Sequence, residues 1–233
     1  MSNRPSQIST IGFDADDTLW HNEQYFKLTE KRFAELLEGH ADTKDLAQRL
    51  LESERRNLKL YGYGVKGFTL SMIETALEIT DGKVPTETIS DILHAGRDLL
   101  SQPIEVFDGV GDVLETLAPA HQLVLITKGD LFDQERKLAQ SGLAELFTTI
   151  EIVSEKTQLT YERIFADHGT QCEHGMMVGN SLRSDVIPAL QAGGWGIYVP
   201  HDVTWEHEHA EEPIAEPRYH QIAALPDVLE FLP

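Results

Sequence analysis

The sequence predicts an α/β fold, a doubly wound parallel sheet interrupted near its start by an all-helical insertion. Three observations carry this. Short apolar runs of strand length alternate with helical periodicity from residue 103 to about 200, residues 21–102 show helical periodicity alone, and polar clusters follow directly after successive apolar runs, where open α/β sheets bind ligands. The division expected is a core of residues 1–20 and 103–233 with a helical insertion at 21–102.

Ile8 to Phe13 is apolar and β-branched, a short strand whose carboxyl end runs into three carboxylates in four residues, Asp14, Asp16 and Asp17. In the insertion, apolar residues recur at helical spacing: Phe26, Phe33, Leu36 and Leu37; Leu46, Leu50 and Leu51; Leu70, Ile73 and Leu77; Ile89, Ile92, Leu93 and Leu99. Gly39, Tyr61 to Gly64, Asp81-Gly82 and Pro85 separate these runs into about four helices. The segment Tyr61 to Phe68, rich in glycine and aromatic residues, reads as an interhelical turn, with Lys66 in reach of a substrate anion as the alternative.

After Pro103 the alternation begins. Val110 to Leu117 reads as a helix, Leu123 to Ile126 as a strand and Leu131 to Gln140 as a helix closed by Gly142. Thr149 to Val153 is the next strand and Tyr161 to Asp167 the next helix, ending before Gly169. Met176 to Val178 is a strand, Ser184 to Gln191 a helix with Ser184 as its cap, and Ile197 to Val199 the last strand. Pro188 is tolerated there because N–H groups in a first helical turn have no intrahelical acceptor. His201 to Pro217, rich in His, Glu and Pro, reads as a polar loop.

Charge and composition exclude some roles. Lys and Arg number 19 against 39 Asp and Glu, a net charge of −20, so a nucleic-acid duplex or an anionic membrane is repelled by most of the surface. A small phosphate ester is still accessible, since a bound cation and a few placed lysines reverse the field locally. The one cysteine, Cys172, offers no intramolecular disulfide. No apolar run approaches the roughly 20 residues of a membrane span, and the first eight residues lack a signal-peptide core, so the expectation is a cytoplasmic protein.

Crowded carboxylates raise one another's pKa or recruit a cation, and a hard ion such as Mg2+ takes oxygen ligands of this kind. The strand ends add Thr127-Lys128-Gly129-Asp130, then Ser154-Glu155-Lys156, then Gly179-Asn180-Ser181-Leu182-Arg183-Ser184-Asp185. In a parallel sheet these ends share one edge, which brings carboxylates, a hydroxyl and a lysine to one place. Asp17 and Thr18 read as turn structure and Asp130 as a helix cap. Arg183 is balanced between surface and substrate, and His201, His207, His209 and His220 read as part of the polar loop rather than as a metal site. Trp20 and His21 stand at the entrance to the insertion, where a gate to the site would lie.

Taken in order, these clusters resemble the four motifs of the haloacid dehalogenase-like superfamily, chiefly its phosphatases. Asp14-Ala15-Asp16-Asp17-Thr18 is similar to the first motif, Thr127 to the second, Lys156 to the third, and Gly179-Asn180-Ser181 with Asp185 to part of the fourth. The insertion lies where the family carries a type-one helical cap on its Rossmann-like core. The resemblance implies a Mg2+-dependent phosphatase acting on a small phosphorylated metabolite, with Asp14 as nucleophile and Asp16 as acid and base. It further implies Thr127, Lys128 (through its N–H) and Lys156 at the phosphoryl group, and a metal held by Asp14, Asp16 through its main-chain oxygen and Asp185. Asn180 stands where the family usually has aspartate, and orients a metal-bound water in this reading. Phosphomutase or dehalogenase chemistry on the same scaffold, or a non-catalytic phospho-acceptor, are the alternatives; Asp16 argues against a dehalogenase.

Overall fold

The computed structural model describes residues 5, 7–40, 42, 44–169 and 171–232. Positions 1–4 and 6 of the N-terminal reading lie outside them, as do 41, 43, 170 and 233. Six strands form one parallel sheet in the order β3-β2-β1-β4-β5-β6: β1 Thr10–Phe13, β2 Gln122–Lys128, β3 Thr149–Val153, β4 Gly175–Gly179, β5 Trp195–Tyr198 and β6 Tyr219–Gln221. The predicted doubly wound α/β fold is therefore present.

Alternation along the strands explains its layers. Leu123 and Leu125 join Ile11, Phe13, Met176, Val178 and Ile197 on one face, against Val113, Leu114 and Leu117 of α5 (Val110–Leu117), Leu138 of α6 (Leu131–Ser141) and the C-terminal Val228 and Phe231. Val124, Ile126 and Met177 point the other way, against Tyr161, Ile164 and Phe165 of α7 (Gln158–Asp167) and Ala189 of α8 (Ile187–Gln191). A period of two places successive residues on opposite faces, so each central strand buries both.

Two local expectations need correction. The sixth strand was not foreseen, because Tyr219, His220 and Gln221 make a short polar edge with no apolar run. The cap of the fourth core helix is Ser181 rather than Ser184: its Oγ accepts from Ser184 N at 2.9 Å. A wide turn, with Val186 N donating to Ser181 O at 3.1 Å, then leads into α8, where Pro188 is the second residue.

Packing divides the chain into two compact units, Met1–Glu23 with Ile104–Lys128 and Gln134–Pro233, and Gln24–Pro103 with Gly129–Asp133. The second contains α1 (Glu23–Leu37, entered from the first unit), α2 (Leu46–Tyr61), α3 (Val65–Ile79) and α4 (Thr86–Leu100). Its core is Phe33, Leu37, Leu46, Leu50, Val65, Phe68, Met72, Ala76, Ile92 and Leu99. Leu70, Leu77 and Leu93, counted on the apolar faces from spacing alone, are exposed. On α3 the buried stripe runs through Phe68, Met72 and Ala76 instead, and Gly96 of α4 lies against Thr69 where a Cβ would clash. Gly62 and Gly64, both at positive φ, make the interhelical turn, and Lys66 pairs with Asp130 at 2.9 Å. In the first unit, the chain leaves and re-enters the sheet side by side: His21 N donates to Glu105 O and Phe107 N to Leu19 O, both at 3.0 Å.

Candidate active site

Strand β1 lies at the centre of the sheet, where the strand order reverses, and Asp14 is the first residue beyond its carboxyl end. Its N–H donates to Val178 O at 3.0 Å, which holds it beside the end of β4. In such sheets the crevice at this reversal is the ligand site.

Three buried charges meet there. Lys156, from the loop after β3, donates to Asp14 Oδ1 in a short contact and to Asp185 Oδ1 at 2.7 Å. Asp185 Oδ2 accepts from Ser181 N at 2.9 Å. The Asp185 carboxylate lies against Gly179, where any Cβ would collide with it, so the glycine ending β4 makes room for it. Burial, foremost, pushes the Asp14 carboxyl up to about 7, with Asp185 and Asp16 adding to the rise and Lys156 opposing it. Burial likewise raises Asp185 against Lys156. For Lys156, burial alone would pull the ammonium down, but its two carboxylate partners outweigh this and hold it above the usual lysine range.

Asp16 has a separate set of partners. Trp20 Nε1 donates to its Oδ1 at 2.7 Å, Gln134 Nε2 to its Oδ2 at 3.2 Å, and Lys137 Nζ to both at 3.0 Å. Lys137 also reaches Asn22 Oδ1 at 2.8 Å. Gln134 donates in addition to Thr127 Oγ1 at 2.6 Å and to Lys128 O at 3.0 Å, so a single side chain ties the end of β2 to Asp16. Neither Gln134 nor Lys137 was singled out from sequence, although their i, i+3 spacing on the helix directly after Thr127 turns both toward the strand ends.

Asp17 and Thr18 do different work. Asp17 adopts φ 61°, a left-handed conformation that Asp tolerates, and its carboxylate accepts from Asn22 N at 2.9 Å and Glu23 N at 2.9 Å at the start of α1. Thr18, also read as turn structure, stands at the centre: its Oγ1 donates to Asp14 Oδ2 at 3.3 Å and accepts from the Asn180 side-chain amide at 3.2 Å and from Asn180 N at 3.1 Å.

The polar tail contributes Glu208. Its carboxylate accepts from Lys128 Nζ at 2.7 Å, from Ser181 Oγ at 2.5 Å and from Ser184 Oγ in a short contact, while Lys128 also reaches Ser184 Oγ at 2.8 Å. Burial alone would raise Glu208, but Lys128 foremost, helped by the two serines, holds it down at about 2. The Lys128 ammonium is thus neutralised from within the chain. Arg183 Nη1 donates to His207 O at 3.0 Å. His220 stacks on Trp195, and among the described residues no three His, Cys, Asp or Glu side chains gather as a metal cluster.

The Asn180 amide closes a corner beside Asp14: its Nδ2 donates to Asp14 Oδ2 at 3.2 Å, to Thr18 Oγ1 at 3.2 Å and to the main-chain O of Asp16 at 3.3 Å. Asp14 Oδ2 and the main-chain O of Asp16 face this corner, and both are oxygens of the kind a small hard cation takes. Asp185, expected among the ligands, has its oxygens engaged by Lys156 and Ser181 N.

Residues 8–193 match the model of the haloacid dehalogenase-like hydrolases. The chain belongs to that family. A haloacid dehalogenase-like family hydrolase from Xanthomonas campestris is similar over 97% of this chain and 93% of its own, with 44% identity and a TM-score of 0.83. The haloacid dehalogenase-like hydrolase YfnB from Bacillus subtilis, solved bound to magnesium, shares the fold at 20% identity and a TM-score of 0.67, over 97% of this chain and 99% of its own. A glyceraldehyde 3-phosphate phosphatase from Methanothermobacter thermautotrophicus is 25% identical over 88% of this chain and 92% of its own length.

Proposed function

We propose that this haloacid dehalogenase-like hydrolase is a Mg2+-dependent phosphatase that removes phosphate from a small phosphorylated metabolite through an aspartyl-phosphate on Asp14. The observation that carries the reading is the pair of carboxylates two residues apart with separate environments: Asp14 buried against Lys156, and Asp16 held by Trp20, Gln134 and Lys137. Two chemical roles need two such environments. The likeness to a glyceraldehyde 3-phosphate phosphatase supports a small phosphate ester as substrate class.

In this mechanism a carboxylate oxygen of Asp14 attacks phosphorus, forming an acyl phosphate as the bond from phosphorus to the ester oxygen breaks. Asp16 gives its proton to the departing alkoxide, then takes one from the water that attacks the phosphorus of the intermediate, which returns Asp14 and releases phosphate. Lys156 offsets charge on the nucleophile and the phosphoryl oxygens, and the Thr127 hydroxyl and the Lys128 N–H bind those oxygens. Gln134 holds Thr127 and Asp16 in register. Asp14, the main-chain oxygen of Asp16 and Asn180, its amide turned to present oxygen, would hold the Mg2+, which would supply positive charge at the phosphoryl group. Asp185 positions Lys156.

No helix among the described residues is long and apolar enough to cross a membrane. A cytoplasmic enzyme meeting soluble substrate, without nucleic acid or membrane as partner, completes the proposal. A panel of small phosphate monoesters with Mg2+ tests it: inorganic phosphate is released from at least one, and chelation of the metal lowers the rate. Halide release from 2-haloacids with no phosphate released from any ester would replace the phosphatase reading with a dehalogenase.

A further inference from the structure

Lys128 follows Thr127 at the end of β2, and in the proposed mechanism its N–H binds the phosphoryl group. Its side chain therefore starts beside the transferred phosphate, where an ammonium would favour substrates that carry a second anionic group. The fold withholds that charge. Glu208 Oε1 accepts from Lys128 Nζ at 2.7 Å, and its Oε2 accepts from Ser181 Oγ at 2.5 Å and from Ser184 Oγ in a short contact. Lys128 Nζ also donates to Ser184 Oγ at 2.8 Å, and Ser181 Oγ accepts from Ser184 N at 2.9 Å, so both hydroxyl protons go to Glu208. The Lys128 and Glu208 side chains are only 10% and 14% exposed, and opposite charges so far removed from water attract more strongly than at a surface. The cluster is continuous with the catalytic carboxylates: Ser181 N donates to Asp185 Oδ2 at 2.9 Å, and the charge of Glu208 adds to the rise of the Asp185 carboxyl.

An ammonium and two hydroxyls converging on one carboxylate make an anion subsite, and the chain fills it from its own tail. We propose that Glu208 is a specificity-determining residue: by occupying this subsite it cancels the charge of Lys128, so that the enzyme takes phosphate monoesters with an uncharged carbon frame and discriminates against esters that carry a second anionic group. Such an ester must either displace Glu208 from three hydrogen-bond donors or stand beside its carboxylate with like charge, and both are costly. An uncharged polyol, aldehyde or sugar frame meets neither obstacle. Removing the charge of Glu208 alone leaves Lys128 as a positive pole beside the phosphoryl group, which shifts the preference toward the second anion.

The inference rests on the proposed phosphatase, so one arm of the test reads specificity and the other reads binding without turnover. Phosphate release with Mg2+ is compared for glycerol 3-phosphate and 3-phosphoglycerate, which have the same carbon number and differ by a carboxylate. The wild type is expected to show a kcat/KM at least about tenfold higher for glycerol 3-phosphate. Glu208→Gln keeps the size of the side chain and an acceptor for the serines, and is expected to move the ratio of the two values at least about tenfold toward 3-phosphoglycerate. A Glu208 that serves structure alone would lower both rates and leave the ratio unchanged. Combining Lys128→Met with Glu208→Gln is expected to abolish the shift, because the ammonium that produces it is gone. In the second arm, acetate is expected to raise the Tm of Glu208→Ala, whose subsite is open, and not that of the wild type, each against the same concentration of chloride. Equal or higher wild-type kcat/KM for 3-phosphoglycerate, an unchanged ratio in Glu208→Gln, or an acetate effect no larger in Glu208→Ala than in the wild type overturns the proposal. If the Glu208 variants do not fold, the wild-type ratio decides. If neither ester is turned over, the acetate arm decides, whereas the phosphatase reading stands or falls on its own panel of esters.

Discussion

Asp14→Asn is expected to yield a folded protein that releases phosphate at least about a thousandfold more slowly than the wild type. The amide has nearly the size of the carboxylate, and Lys156 keeps its 2.7 Å contact with Asp185, so the strand end and the loop bearing Lys156 stay in place. What disappears is the anionic oxygen that attacks phosphorus. No nearby group replaces it: Asp16 is held by Trp20, Gln134 and Lys137, and Asp185 by Lys156 and Ser181 N. The variant also removes a carboxyl whose burial pushes its pKa up to about 7, so little stability is lost near neutral pH. Phosphate release from an active monoester, with circular dichroism as the control for folding, makes the comparison. Full activity in Asp14→Asn would remove the nucleophile from the mechanism.

Lys156→Met is expected to damage both stability and rate. The Lys156 side chain is 2% exposed and its ammonium stands between two buried carboxylates, so its loss leaves Asp14 and Asp185 facing each other without a counter-charge. Breaking a buried pair by removing one partner costs about 3–5 kcal/mol, which in a chain of this size lowers the melting temperature by roughly 10 °C. The pH dependence has a definite sign. Both carboxyls are raised in the folded wild type, and without Lys156 they rise further, so the folded state holds protons that the unfolded chain has released. Stability of the variant therefore falls as pH rises through the window above about 4, and its deficit against the wild type is smaller near about pH 5 than near about pH 8. Urea denaturation at both pH values measures this. A deficit that does not change with pH would mean that Lys156 acts by packing alone. The rate is expected to fall by about a hundredfold or more, as when one preorganised charge is removed from a transition state.

How much of this was legible in the sequence depended on whether a residue announces itself locally. Strands β1, β2 and β4 were readable because each is an apolar run buried on both faces and followed at once by a polar cluster. The polar clusters that follow the strands hold Asp14, Asp16, Thr127, Lys156 and Asp185, and the parallel order of the sheet puts them at one edge. Gln134 and Lys137 were missed because a polar pair on an amphipathic helix looks like a solvent face. The usable signal was position, since the first inward turn of a helix leaving a strand end points back at the site. Glu208 gave no local signal: it lies in a tail without periodicity, and only the folded chain brings it to Lys128, Ser181 and Ser184. Strand β6 hid for a related reason, because an edge strand of three residues pairs through its backbone and needs no apolar pattern. The exposed Leu70, Leu77 and Leu93 show the limit of periodicity, which finds a helix more surely than it finds the buried face.

The most direct test of the central claim is to trap the phosphoryl group on Asp14. Asp16→Asn lacks the base that activates water for the second step, while an aryl phosphate has a leaving group good enough to depart without the acid. Mixed with aryl phosphate and Mg2+, quenched in acid and digested, this variant should carry one added phosphoryl group on the peptide containing Asp14, removable by hydroxylamine as an acyl phosphate is. Release of the phenol with no adduct on Asp14, or with the adduct on another residue, would contradict the account.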